Sequence, residues 1–188
     1  MSSDSHPIHP ATVHFPIAFL SLAYALDIVY GLSTHPSSAK IVASIYDTAP
    51  LLGDIAKSSY YLGILGIVTG IPAVVTGVQQ LLLMLKKQDL ATKLQKSQNK
   101  SATVQKMHPK LKIAFLHAAL NDVAIVATGN NWWTRRSIAG NAPTDTGVLV
   151  SAGLLSSLLF SAFLGGKLVY EHGVGVMRVG ESNRVKAQ

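Results

Sequence analysis

The chain contains no cysteine among its 188 residues. Disulfide bonds, thiolate metal sites and cysteine nucleophiles are therefore excluded. Charged side chains are also scarce, at 13% of the sequence. None of the patterns G-x-S-x-G, H-E-x-x-H, G-x-G-x-x-G or the P-loop occurs. The sequence therefore gives little support for a hydrolytic enzyme.

Apolar residues are what the chain has in excess, at 48% of its length and with a mean hydropathy of +0.33. They concentrate in four runs, at residues 11–32, 60–85, 111–129 and 147–171. Each run is close to the roughly 20 residues that a helix needs to cross about 30 Å of hydrocarbon. The runs are continuous rather than alternating, which favours helices over strands. We therefore predict an all-α polytopic membrane protein, one domain over residues 1–188 built as a four-helix transmembrane bundle, with a basic loop at 86–110 and a C-terminal tail at 173–188.

Lysine is distributed unevenly between the two sides of the predicted bundle. Four crossings place both termini and the loop between the second and third helices on one side. Residues 86–112 hold eight lysines against one acidic residue, Asp89. Because basic loops stay in the cytosol, we expect both termini to be cytosolic. The expected partners of these lysines are anionic lipid headgroups and not nucleic acid, since aromatic residues and a recognisable binding motif are missing.

Small residues recur along two of the predicted helices. The stretch "GIVTG" at 66–70 is a GxxxG motif, and in the fourth helix Gly153, Ser157, Ser161 and Gly165 recur every four residues. Small residues let helix backbones approach closely in lipid. We predict that both stripes pack inside the bundle, with a homodimer through GxxxG as the less favoured alternative.

Three histidines from different predicted helices fall at the same end of the bundle. His14 starts the first helix, His117 lies near the start of the third and His172 ends the fourth. At about 1.5 Å per residue, all three should lie within roughly two turns of one membrane surface. An ionisable residue at membrane depth marks a functional or a paired group by default. A single histidine at a helix end is often only hydrogen-bonded there, so it is the coincidence of three that favours a site.

Two imidazoles that face each other across a helix bundle can bind haem iron axially. The leading prediction is therefore a haem b electron-transfer protein, or an oxidoreductase component if it is an enzyme, with His14 and His117 as axial ligands. The residues predicted to surround the haem are His172 and Asn121 in the wall, and Lys110, Lys112 and Lys167 beside the propionates.

Two other classes of protein stay open at this point. A zinc, copper or iron site in a metal-binding or transporting protein would use three imidazoles and additional ligands; the candidates are His14, His117 and His172, with His6, His9 and Glu171. A structural or assembly protein would use its histidines only to satisfy one another and the backbone. Spacing alone does not separate these classes from a haem protein.

Four motifs resemble those of a known family. They are "HPIHPATVHFPIAFL" at 6–20, "IPAVVTG" at 71–77, "LHAALN" at 116–121 and "GGKLVYEHGVGV" at 165–176. In this order they resemble the motifs of the domain of unknown function 2231 family of predicted four-helix membrane proteins. The resemblance covers nearly the whole chain, and it implies a membrane bundle with no established reaction whose histidines correspond to His6, His9, His14, His117 and His172. Similar proteins often carry an acidic residue shortly after "TG", where this chain has Gln79 and Gln80.

Overall fold

The computed structural model describes residues 8–98 and 107–174. In these two stretches the chain forms six α-helices and two 3-10 turns, and no strand. The helices are α1 (Ile8–Thr12), α2 (His14–Thr34), α3 (Ala39–Ile45), α4 (Leu52–Gln98), α5 (Pro109–Arg135) and α6 (Asp145–Tyr170), and the 3-10 turns are Ala49–Leu51 and Ala139–Asn141.

Four helical stretches in this part of the chain are long and apolar enough to cross a membrane: Ile8–Thr34, Ala49–Ser97, Pro109–Arg135 and Ala139–Tyr170. Helix α2 packs against α4 and α6, and α5 packs against the same two helices. The four long helices therefore form a ring around a shared interior. The prediction of an all-α membrane bundle with four spanning helices is confirmed.

The first span begins earlier than the predicted residue 11. Helical hydrogen bonds continue through the break between α1 and α2, from the Val13 amide to the His9 carbonyl and from the Ile17 amide to the Val13 carbonyl. Helix α1 packs against α4. His9, which precedes the predicted start of the first span, is thereby carried into the bundle.

Helix α4 is much longer than the predicted segment 60–85. Its 47 residues, Leu52–Gln98, correspond to about 70 Å of helix, against about 30 Å of hydrocarbon. The first half of the predicted basic loop is therefore helical, which corrects the loop boundary at 86. The physical reason is that residues 78–98 contain no glycine or proline and are rich in leucine, lysine and glutamine, which are good helix formers.

Helix α5 also extends past its predicted end at residue 129. The stretch "GNNWW" at 129–133, which begins where the predicted helix ends, lies within α5. The side chain of Arg135 in the last turn is buried in the bundle, and this anchor holds the end of the helix in place.

The glycines of α4 lie where other helices approach it. A Cβ atom on Gly66 would clash with the Leu20 side chain of α2, and one on Gly70 would lie 2.6 Å from Ile125 Cδ1 of α5. The GxxxG motif is thus used within the bundle. The homodimer stays a prediction, and it would need a different surface.

Candidate functional site

A cavity of about 360 Å³ lies within the bundle, lined by residues of α1, α2, α4, α5 and α6. Its wall is largely apolar, and small residues are frequent in it: Gly70, Ala73, Gly77, Ala114, Ala118, Ala162, Gly165 and Gly166. The nitrogen- and carboxylate-bearing side chains in the wall are His9, His14, Gln80, His117, Asn121 and Asp122. The cavity is therefore an apolar space into which imidazoles project from different helices.

His9 enters the cavity wall from α1 and lies against α4. Its Nδ1 is 3.1 Å from the backbone oxygen of Ala73 and 3.1 Å from Thr76 Oγ1. A Cβ atom on Gly77 would be only 2.9 Å from His9 Cε1. The imidazole therefore lies flush against the α4 backbone, in a space that exists because position 77 has no side chain.

His117 lies in the same manner between α5 and α6. Its Nδ1 is 2.9 Å from the backbone oxygen of Ser161 and 3.0 Å from Ser161 Oγ. A Cβ atom on Gly165 would be 3.1 Å from His117 Cε1. The side-chain amide nitrogen of Asn121 donates to Ser161 Oγ at 2.7 Å and to the His117 carbonyl at 2.7 Å, and it lies 3.4 Å from His117 Nε2. Hydrogen bonds therefore join this corner of α5 to α6.

The two imidazoles share one arrangement. In each, Nδ1 faces a helix carbonyl that lies four residues before a glycine, Ala73 before Gly77 and Ser161 before Gly165. A carbonyl oxygen can only accept a hydrogen bond, so Nδ1 carries the proton and Nε2 keeps its lone pair. Bonding of one ring nitrogen to a carbonyl is the usual support of a histidine that binds a metal through the other, because it fixes the ring and raises its basicity.

The structure places His14 differently from the sequence prediction. His14 is exposed, although it is among the residues that line the cavity. His9 precedes it by five positions, which is about 140° around a helix axis. Because His9 faces α4, His14 faces away from it. The structure therefore brings His9 and His117 into corresponding environments, where the sequence paired His14 with His117.

The remaining predicted site residues separate into two groups. Asn121 lines the cavity as expected, whereas His172, which the structure also describes, is outside the set of wall residues. Lys112 and Glu171 are exposed, and Lys167 Nζ lies 3.6 Å from Glu171 Oε2. Lys110 lies in the first turn of α5, where its backbone amide donates to His108 Nδ1. His6 falls outside the described residues.

A multi-ligand metal centre is not formed by the described part of the chain. Within residues 8–98 and 107–174, no three histidine, aspartate or glutamate side chains are grouped so as to hold a metal ion. His14, His117 and His172 therefore do not converge on one point there. The separation of His14 from His9 around the helix, and the position of His172 beyond the end of α6, account for this.

A second polar site lies inside the bundle, toward the end where α2 and α5 terminate. Arg135 Nη1 and Asp27 Oδ1 form a salt bridge of 2.9 Å, and both side chains are at most 3% exposed. Ser151 Oγ donates to Asp27 Oδ2 at 2.7 Å, and Arg135 Nη2 donates to Ser59 Oγ at 2.7 Å. The network therefore joins all four spanning helices through hydrogen bonds to one ion pair.

Sequence reasoning missed this ion pair, although a signal for it was present. Asp27 is the sole acidic residue in the run 11–32, and a carboxylate at that depth requires a partner. Its partner Arg135 lies 108 positions away in the chain and was assigned to a loop. Only the extension of α5 to residue 135 brings the guanidinium to the carboxylate.

An apolar layer separates the two polar sites. Its buried members are Leu20, Tyr24, Ala124, Leu154 and Leu158. On α5, His117 precedes Ala124 and Arg135 follows it, so the imidazole and the guanidinium are about 27 Å apart along the helix axis. The cavity is thus bounded on one side by packed side chains and, beyond them, by the ion-pair network.

These features define a class, a polytopic membrane protein whose four-helix bundle encloses a histidine-lined apolar cavity near one end. Within that class, the chain belongs to the family described as predicted membrane protein (DUF2231), whose family model matches residues 5–178. This confirms the resemblance seen in the sequence motifs. No curated protein and no solved structure matches the chain.

Proposed function

We propose that this protein holds a haem b between His9 and His117 and uses it for electron transfer. The observation that carries the proposal is the matched support of the two imidazoles, each with Nδ1 on a helix carbonyl and with a glycine beside the ring. Both residues line one cavity and belong to different helices. This replaces His14 by His9 in the pair of ligands expected from the sequence.

A pair of imidazoles suits haem iron better than zinc. Two imidazoles, His9 and His117, would be enough to hold a haem, whereas zinc sites use three or four protein ligands. The described residues supply two such imidazoles and no group of three ligands. The wall is mainly apolar and rich in small residues, which would leave room for a macrocycle, although Asp122 is also among its residues.

The chain would contribute binding, orientation and exclusion of water. Bound haem would supply a reversible one-electron couple. Ala73 and Ser161 accept the Nδ1 protons of His9 and His117, so Nε2 of each ring would be the nitrogen that binds iron. At His117 the side-chain amide of Asn121, whose nitrogen lies 3.4 Å from Nε2, would have to turn aside. The glycines at 77 and 165 keep the helix backbones close to the rings. The apolar layer around Ala124 closes the cavity on the side that faces the ion-pair network.

Lysines at the mouth of the cavity are proposed partners for the propionates. Lys110 and Lys167 are sequence neighbours of Leu111 and Leu168, which pack together in a buried cluster where α5 begins and α6 ends. Their side chains are therefore at the same end of the bundle as the cavity. A lysine pairs with a carboxylate as a point charge on a flexible stem, so contact with a propionate does not require it to line the wall.

The test is an absorption spectrum of the purified protein, oxidised and reduced, after expression with an ample haem supply. We expect a Soret band that shifts on reduction in the wild type. His9→Ala and His117→Ala should lose most of the haem bound per protein, while His14→Ala and His35→Ala should retain it. His35 is the matched control, because it lies at the opposite end of α2.

Three results would contradict the proposal in different ways. Loss of haem in His14→Ala but not in His9→Ala would return the ligand pair to His14 and His117. Wild-type protein without a Soret band, even after reconstitution, but with stoichiometric zinc or copper would favour the metal-binding class. Absence of every cofactor, with His9→Ala and His117→Ala lowering only the melting temperature, would favour a structural or assembly protein.

A further inference from the structure

The short helix α3 lies beside the end of α2, at the end of the bundle that carries the ion-pair network. Ser38 Oγ donates to the Leu32 carbonyl at 2.7 Å, and the Ala39 amide donates to the His35 carbonyl at 2.9 Å. These bonds fold the chain back so that α3 packs against α2. The segment expected from the sequence to be a loop is thus an ordered connection between two spanning helices.

One face of α3 is apolar and has no cover in the described part of the chain. Ile41 is 64% exposed, Ile45 is 82% exposed and Tyr46, which follows the helix, is 62% exposed. Positions 41 and 45 are four apart and therefore share one side of the helix. Val42, by contrast, is half-buried toward the bundle. In a helix on a water-exposed surface, the large apolar side chains would face the protein and polar side chains would face the solvent.

Aromatic side chains at the same end mark the level of the membrane surface. Trp132 and Trp133 in the last turns of α5 are 37% and 54% exposed, and Tyr61 of α4 is 59% exposed. The guanidinium of Arg136 lies 3.2 Å from the centre of the Trp133 ring. Tryptophan and tyrosine with a neighbouring cation are typical of the headgroup region. Helix α3 adjoins the end of α2 at this level.

We propose that α3 is an interfacial helix whose Ile41–Ile45–Tyr46 face inserts into the lipid surface beside the Trp132–Trp133 end of the bundle. The headgroup and acyl-chain boundary accepts an apolar face on one side and polar groups on the other, and Lys40 and Ser44 are the exposed polar residues of α3. A second copy of the chain is disfavoured as the cover, because a stable interface needs about 800 Å² from each partner and three side chains offer far less. This inference does not depend on the haem proposal.

The absence of cysteine allows a clean test by single-cysteine labelling. Ile45→Cys and, as the matched control, Ser44→Cys would each be labelled with a polarity-sensitive fluorophore after reconstitution into phospholipid nanodiscs. We expect the emission at position 45 to be blue-shifted relative to position 44. We also expect lipids brominated in the acyl chain to quench position 45 at least twofold more than position 44.

Two outcomes would overturn the proposal. Equal, water-like emission at both positions would show that α3 stands clear of the lipid. Equal shielding at both positions without quenching by brominated lipid would show that protein, and not lipid, covers the helix. A second pair, Ile41→Cys and Lys40→Cys, repeats the comparison one turn earlier, so that misfolding of one variant does not decide the result.

Discussion

Gly77 and Gly165 create the space that the two cavity imidazoles occupy. A methyl group at either position would lie within 3.1 Å of a ring carbon of His9 or His117. The ring would have to move away from the helix, and its hydrogen bond to the carbonyl four residues earlier would lengthen. The two glycines are therefore positioning residues for the imidazoles.

Gly77→Ala is expected to displace His9 and to lower the haem bound per protein severalfold. Overpacking of this kind also costs about 1–3 kcal/mol of stability. The measurements are the Soret absorbance per protein and the thermal unfolding in detergent. Gly129→Ala is the matched control, because a Cβ atom there meets nothing within 4 Å. Equal behaviour of the two variants would show that position 77 does not constrain His9.

The buried ion pair should make Asp27 and Arg135 strongly interdependent. Asp27→Leu alone, or Arg135→Met alone, leaves one charge buried without its partner and is expected to cost about 3–5 kcal/mol. The double variant should lose much less stability than the two single variants added together, since no unpaired charge is left. Thermal or denaturant unfolding in detergent measures all three. Additive losses would mean that the pair contributes little as a pair.

Among the residues that line the cavity, the sequence singles out His117 and Asn121 on α5. These two residues are four positions apart on α5, so the sequence alone indicates that they share one side of that helix. The apolar run in the sequence begins at residue 11, which leaves His9 before the predicted first span. Whether a helix continues through Pro10 and Val13 depends on its packing against α4, which local sequence does not encode.

Helices α2 and α4 can pack closely because Gly66 has no side chain at their contact. Gly66→Ala is expected to destabilise the bundle by about 1–3 kcal/mol, because the new methyl group must displace Leu20 or separate the helices. Gly153→Ala on α6 has open space around it and should be neutral or stabilising through helix propensity. Thermal unfolding of the two variants side by side tests this. Equal destabilisation would indicate that the α2–α4 contact does not depend on the glycine.

Hydropathy predicts the membrane-spanning part of each helix but not where the helix ends. An apolar run reports the part of a helix that lies in lipid, so all four spans were found. It does not report how far the helix continues in water. For α4 the continuation from residue 86 to 98 depends on helix propensity, and for α5 the continuation to Arg135 depends on a salt bridge with a residue of another helix.

For the whole molecule, the expected orientation is set by the exposed lysines Lys86, Lys87, Lys93 and Lys96 on α4 beyond its apolar part. Since such residues are retained in the cytosol, a fluorescent protein fused after Gln188 should be fluorescent, and alkaline phosphatase fused there should be inactive. Alkaline phosphatase inserted at Pro36, in the turn after α2, should be active. The reverse pattern would place the histidine-lined end outside the cytosol.

The two polar sites lie toward opposite ends of the bundle and differ in chemistry. Within residues 8–98 and 107–174, the imidazole pair lies near one end of the bundle, and the ion-pair network lies toward the other. If the proposed haem is bound there, an electron would enter and leave at the same end of the bundle, because the residues that the structure describes hold one such imidazole pair. Such a protein would pass electrons between partners on one face of the membrane, and it would generate no membrane potential by itself.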